Sequence, residues 1–129
     1  SNPYLDLTAK GQWLGDLGVT QTAEQEVNCE NAVAGDASWS IVQKPFGMMF
    51  SGIVTSKNEE VQPGFVVLKD EEGNQKVYTL GQMPVKQDDG STLLNMSATV
   101  SGKGLEGKTY HVYIQTDGNV YDTGYQVKF

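Results

Sequence analysis

Gly102-Lys103-Gly104-Leu105-Glu106-Gly107-Lys108-Thr109-Tyr110-His111-Val112-Tyr113-Ile114-Gln115-Thr116-Asp117-Gly118-Asn119-Val120-Tyr121-Asp122-Thr123-Gly124-Tyr125-Gln126-Val127-Lys128-Phe129 reads as a turn, a strand, a tight turn and a closing strand. Tyr110, Val112 and Ile114 fall on one face of the first strand, with His111, Tyr113 and Gln115 on the other. Tyr121, Thr123, Tyr125, Val127 and Phe129 share a face of the second, opposite Asp122, Gln126 and Lys128. A period of two marks a half-buried antiparallel hairpin around Asp117-Gly118-Asn119. A lone hairpin is marginally stable in water, so the apolar face must meet more sheet.

Working back along the chain, that sheet is present as further short strands. Leu94, Met96, Ala98 and Val100 alternate with Leu93, Asn95, Ser97 and Thr99. Residues 81–90, with Pro84 and Asp88-Asp89-Gly90, read as a connection long enough to cross between sheets. Lys76 to Leu80 pairs back across the turn Asp70-Glu71-Glu72-Gly73-Asn74 onto Gly64 to Lys69, a continuous apolar run suited to the middle of a sheet. Met48 to Thr55 is another strand, and Met48-Met49 reads as gap-filling core. Lys44-Pro45-Phe46-Gly47 breaks it from Trp39 to Val42, because proline cannot donate to a central ladder. About seven short strands with regular turn signals predict an all-β domain, a two-sheet antiparallel β-sandwich or a small barrel in preference to a repeat array or an α/β enzyme.

Residues 1–35 are less regular and are expected to form an N-terminal extension packed on the sandwich, or its first strands, with residues 36–129 as the sandwich proper. Gly11-Gln12-Trp13-Leu14-Gly15-Asp16-Leu17-Gly18 carries large apolar side chains between glycines and reads as a loop or bulged strand. From Thr22 to Val33 a capping box at Thr22 and Gln25 competes with alternation at Val27 and Cys29; strand is the preferred reading. Ser1-Asn2 reads as a cloning remnant, which would leave any export signal outside this sequence.

The chain has 129 residues and a net charge of −7, with 9 basic residues that are all lysine. Arginine is the preferred fork for phosphate and guanine, so no nucleic-acid partner is expected. The acidic balance disfavours anionic lipid, and no apolar run is long enough to insert in a membrane. Cys29 is the single cysteine and forms no intrachain disulfide; flanked by Glu26 and Glu30, it reads as a small buried hydrophobe and not as a reactive thiol.

From Trp39 to Phe129 the order of features resembles a fibronectin type III-like domain of the kind found in surface proteins of Bacteroides-type bacteria. Phe50-Ser51-Gly52-Ile53-Val54-Thr55-Ser56 followed by Val61-Gln62-Pro63-Gly64-Phe65-Val66-Val67 is similar to that family's second and third strands. Leu105-Glu106-Gly107-Lys108-Thr109-Tyr110 resembles its approach to the sixth strand, where a tyrosine bonds back to upstream backbone. Here the loop is one residue shorter and lacks the proline. Cys29 and Trp39 resemble the first cysteine and core tryptophan of an immunoglobulin domain, but Val112 stands where a second cysteine would complete that pattern. Either resemblance implies scaffold and leaves the function open.

Chemistry is sparse. His111 is the only histidine, so no histidine-based triad or zinc site assembles; it reads as a solvated surface residue. The clusters Asp70-Glu71-Glu72, Asp88-Asp89 and Asp117 with Asp122 could hold calcium or act as a carboxylate pair, but they lack a calcium-loop spacing and read as solvated turns. No catalytic residue, metal or cofactor is expected. Trp13 and Tyr113 are the aromatic ligand-binding candidates; core packing for Trp13 and cross-strand packing for Tyr113 are the simpler readings, and Tyr121 and Tyr125 read as core. The expected function is a non-enzymatic adhesion or structural module on a bacterial cell surface, with a protein or glycan as partner. A carbohydrate-binding accessory domain, or a fimbrial or tail-fibre subunit assembled by strand addition, are the alternatives.

Overall fold

The computed structural model describes residues 20–34 and 38–129. Within them the fold is all-β: β1 (Ser38–Lys44), β2 (Gly47–Ser56), β3 (Gly64–Asp70), β4 (Gln75–Lys86), β5 (Thr92–Ser101), β6 (Thr109–Thr116) and β7 (Asn119–Lys128). All strand pairs are antiparallel, and the order β1-β2-β5-β4-β3-β6-β7 makes one sheet that curls until its two outer strands nearly meet.

The hinge of this curl is β4. Its first half, to Leu80, pairs with β3; from Gly81 to Lys86 it pairs with β5 instead. The reading of residues 81–90 as a connection is thereby corrected: the crossing is made by strand as far as Lys86. Pro84 sits opposite Leu94 and is tolerated because β4 has a ladder partner on only one side there. Where β4 leaves β3, Gln82 fills the gap. It accepts a hydrogen bond from the fully buried Thr116 hydroxyl (2.6 Å) and donates to the Gln62 carbonyl (2.8 Å).

One core lies inside the curl. Met48, Phe50, Val66, Leu68, Leu94, Val100, Val112, Ile114 and Val127 are all buried, each on the inward parity of its strand. The methionine pair is split by that parity: Met48 is core, whereas Met49 points outward and is half exposed. A bulge between His111 and Tyr113 loops out Thr123 to Tyr125, with the Thr123 hydroxyl donating to the Val112 carbonyl at 2.7 Å. Tyr125 is therefore 40% exposed and not core as the alternation suggested, while Tyr121 remains partly buried against Trp39 with ring centroids 5.7 Å apart. That aromatic contact and the Gln43 side chain, bonded to the Lys128 backbone at both its N–H and its carbonyl, close the seam between β1 and β7.

Residues 20–34 form a strap and not the regular strand expected over Thr22–Val33. It starts as a wedge in the cleft where β4 and β5 diverge: Thr20 bonds to the Thr99 carbonyl, and Gln21 and Ala23 bond to Thr79 and Val77. It then crosses the outside of the sheet, burying Val27 and Cys29 on Phe65, Val67 and Val77, with Tyr113 alongside. It ends at the free edge of β7, where the Val33 N–H and carbonyl pair with Val120 and Asp122. A segment crossing strands meets no continuous edge to pair with, so its backbone is satisfied piecemeal. Gln75 supplies the middle: its amide accepts from the Val27 N–H (3.0 Å) and donates to the Val27 carbonyl (2.6 Å).

Candidate functional site

The alternation of strand directions gathers three connections at one pole: residues 57–63, 87–91 and the turn at 117–118. The last is a two-residue hairpin turn in which both Asp117 (φ 53) and Gly118 (φ 77) lie in the left-handed region, as a primed turn requires. Aspartate tolerates that region and here gains a role from it. One Asp117 carboxylate oxygen accepts from the Ser56 hydroxyl (2.6 Å) and from the Asn58 amide (2.5 Å), while the Ser56 hydroxyl also receives the Asn58 backbone N–H (3.0 Å). The β6–β7 turn and the β2–β3 connection are thus tied into one piece. In the third connection Asp89 accepts from the Ser91 hydroxyl and backbone; these bonds, with nearby Lys57, hold its carboxyl below the usual aspartate range. The pole is a braced rim that carries exposed Val61.

The other acidic clusters are likewise occupied with their own turns. Asp70 is nearly inaccessible and accepts from the Glu72 N–H, the Asn74 N–H and side chain, and Lys108 Nζ at 3.3 Å. Burial pushes its carboxyl up, but the bonds from Asn74, Glu72 and Lys108 outweigh that and hold it low. The Asp122 carboxylate accepts the Gly124 N–H in the bulge. Among the described residues no three His, Cys, Asp or Glu side chains converge as a cation site. His111 lies 3.1 Å from a Glu71 carboxylate oxygen, at the end of the molecule opposite the rim, in an exposed pair worth little to stability.

Tyr113 is partly buried beside the strap; burial raises its hydroxyl pKa, with Asp122 and Cys29 adding. Cys29 is 8% exposed, its thiol also pushed up by burial. Trp13 lies outside the described residues, so the fold does not bring the two aromatic candidates together. At the Leu105–Tyr110 corner the backbone bonds are Leu105 N–H to Gly102 and Gly107 N–H to Phe129; among the described residues no bond from the Tyr110 hydroxyl accompanies them. Sequence reasoning missed Ser56, Asn58, Gln75 and Gln82. Only Ser56-x-Asn58, a short-range polar pair at a strand end, left any local signal. Comparison of the chain with protein-family models, curated proteins and solved structures returns no match.

Among the described residues no helix is long and apolar enough to cross a membrane.

Proposed function

We propose that this chain is a non-catalytic recognition module, a fibronectin type III- or immunoglobulin-like β-sandwich carried on a bacterial cell surface, whose rim contacts a protein partner. The observation that carries the reading is the Asp117 brace, which fixes the β2–β3 and β6–β7 connections as one surface. A pre-ordered surface loses less entropy on binding than free loops do.

Strand order supports the scaffold part. Splitting the sheet at Gly81 gives leaves β1-β2-β5-β4 (second half) and β4 (first half)-β3-β6-β7; apart from the shared β4, this order is compatible with the A-B-E-D and C-F-G leaves of an immunoglobulin constant-type sandwich. Connections at one end of such a sandwich serve as its recognition loops. Strand addition draws less support, because Val33 occupies the β7 edge and Pro84 guards the open side of β4. A glycan platform draws less as well, since Tyr113 lies partly covered beside the strap.

The test is binding of the full chain to arrays of surface proteins and of glycans, run with the parent and with a variant carrying Asp117→Ala and Val61→Asp. Protein binding lost in the variant is the expected result. Binding confined to glycans, or hydrolytic turnover on a glycoside or peptide panel, overturns the reading.

A further inference from the structure

The outward face of β1, β2, β5 and the second half of β4 is chemically unlike the rest of this acidic chain. Lys44, at its corner, is the one charged residue among the outward positions, and no carboxylate is present, in a chain with 16 acidic residues. Met83 is 67% exposed, and Val42, Met49, Ile53 and Val85 are about half exposed. Loss of charge combined with exposed methionine and branched aliphatics is the composition of the middle of an interface.

Strand register sorts these side chains into rows that run across the strands. Ser40, Ser51, Ser97 and Gly81 stand side by side in one exposed row and form a shallow trough. On one side of it Met49 lies between Val42 and Thr99. On the other side Asn95 lies between Ile53 and Met83, and beyond that row Leu93 lies between Thr55 and Val85. Small and large rows thus follow one another along the strands, about 7 Å apart.

We infer that this face pairs with the same face of a second copy of the chain, about a two-fold axis running across the strands between the serine row and the Ile53–Met83 row. That rotation lays the trough of each copy under the Ile53–Met83 row of the other. Ile53 then meets Ser51 of the second copy, Met83 meets its Gly81, and Met49 meets its Thr55. Large on small at each of these positions is the self-complementarity that an isologous interface needs. Charge selects the same face. Two chains of net charge −7 repel, and contact through the acidic turns would bring carboxylates together, whereas this face brings none. Size is sufficient. Four strands about 4.8 Å apart and about 25 Å long present roughly 500 Å² in plan, so two copies cover at least about 1,000 Å², the threshold of a specific interface. The inference concerns a different face from the rim, so its failure leaves the rim reading intact.

Sedimentation equilibrium of the full chain tests the pairing, run beside a variant carrying Ile53→Glu and Met83→Glu. Circular dichroism establishes that the variant folds. A concentration-dependent dimer is expected in the parent, weakened at least about a hundredfold in the variant, because the glutamates enter an interface without a cation to meet them. A parent that stays monomeric to millimolar concentration overturns the inference, whatever else covers the face. A dimer of equal strength in the variant overturns it too, since the contact then lies elsewhere. Cross-linking checks the axis, in chains where Cys29→Ser removes the native thiol. Met49→Cys and Thr55→Cys chains are mixed and treated with a short bismaleimide. Stacked sheets lie about 10 Å apart, so the mixture places its thiols within reach, whereas either chain alone separates them by about 20 Å along the strands. Cross-linking at least tenfold faster in the mixture is expected, and equal rates in the mixture and in the separate chains overturn the two-fold arrangement.

Discussion

Replacing Gln75 with alanine tests whether the strap is held by this one side chain. The Gln75 amide makes two hydrogen bonds to the Val27 peptide, 2.6 and 3.0 Å long, in a residue that is 2% exposed. A hydrogen bond contributes about 0.5–1.5 kcal/mol net, and a stranded buried group costs about 1–3 kcal/mol. Removing both bonds while leaving some access to water therefore costs about 2 kcal/mol. At about 1.4 kcal/mol per factor of ten, that raises the open fraction of the strap about thirtyfold. Cys29 reports the opening, because its thiol is covered while the strap is seated and no other cysteine competes. Labelling with a bulky disulfide reagent is expected to accelerate about thirtyfold in Gln75→Ala. Burial raises the thiol pKa, so the parent's labelling must also lag behind free cysteine as pH rises, and the variant must recover part of that lag. Gln75→Glu, which keeps the acceptor and loses the donor, belongs between the two. Labelling of Gln75→Ala within twofold of the parent refutes the assignment of the strap's anchorage to this residue.

Asp117→Ala removes two bonds to a carboxylate and leaves alanine at φ 53, and is expected to cost about 2–3 kcal/mol in urea unfolding; Asp117→Gly, which relieves the backbone, recovers about 1 kcal/mol of it. Gly52→Ala places a methyl 2.7 Å from the Trp39 ring and 3.1 Å from the Ser38 carbonyl, so a loss of about 1–3 kcal/mol and a shifted tryptophan emission are expected. The low Asp70 pKa contributes stability that is present above the ordinary aspartate range and lost as pH falls through the depressed folded value. Asp70→Asn should accordingly melt lower at neutral pH and show a flatter acid limb in a series of thermal melts; parallel acid limbs would count against that role.

Strand positions were legible because burial on one face leaves a period of two, and Thr109–Thr116 shows it without exception. What escaped depends on partners distant in sequence. Pro84 looked like a break because a proline breaks a central ladder, and only the divergence of β4 from β3 shows that one side is open. Tyr125 has the parity of Val127, but the bulge removes it from the core by looping out residues that the alternation counts as paired. The strap resisted reading because its stability comes from side chains such as Gln75, 48 positions from Val27. The rim was half visible: Asp117-Gly118 announces a tight turn, but Ser56 and Asn58, 61 and 59 positions away, become its partners only through strand order.

The wedge of residues 20–23 between β4 and β5 has a mechanical consequence. A pull applied at residue 20 loads the Thr20, Gln21 and Ala23 bonds, and they anchor to both diverging strands. Tension along this stretch is shared among bonds that must slide together, which resists rupture better than bonds opened one at a time. Yielding there would free the strap while the interior of the curl stays intact, giving a tether that lengthens before it fails. Force spectroscopy should show this as a small early extension preceding the main rupture, and a single all-or-none event would contradict it.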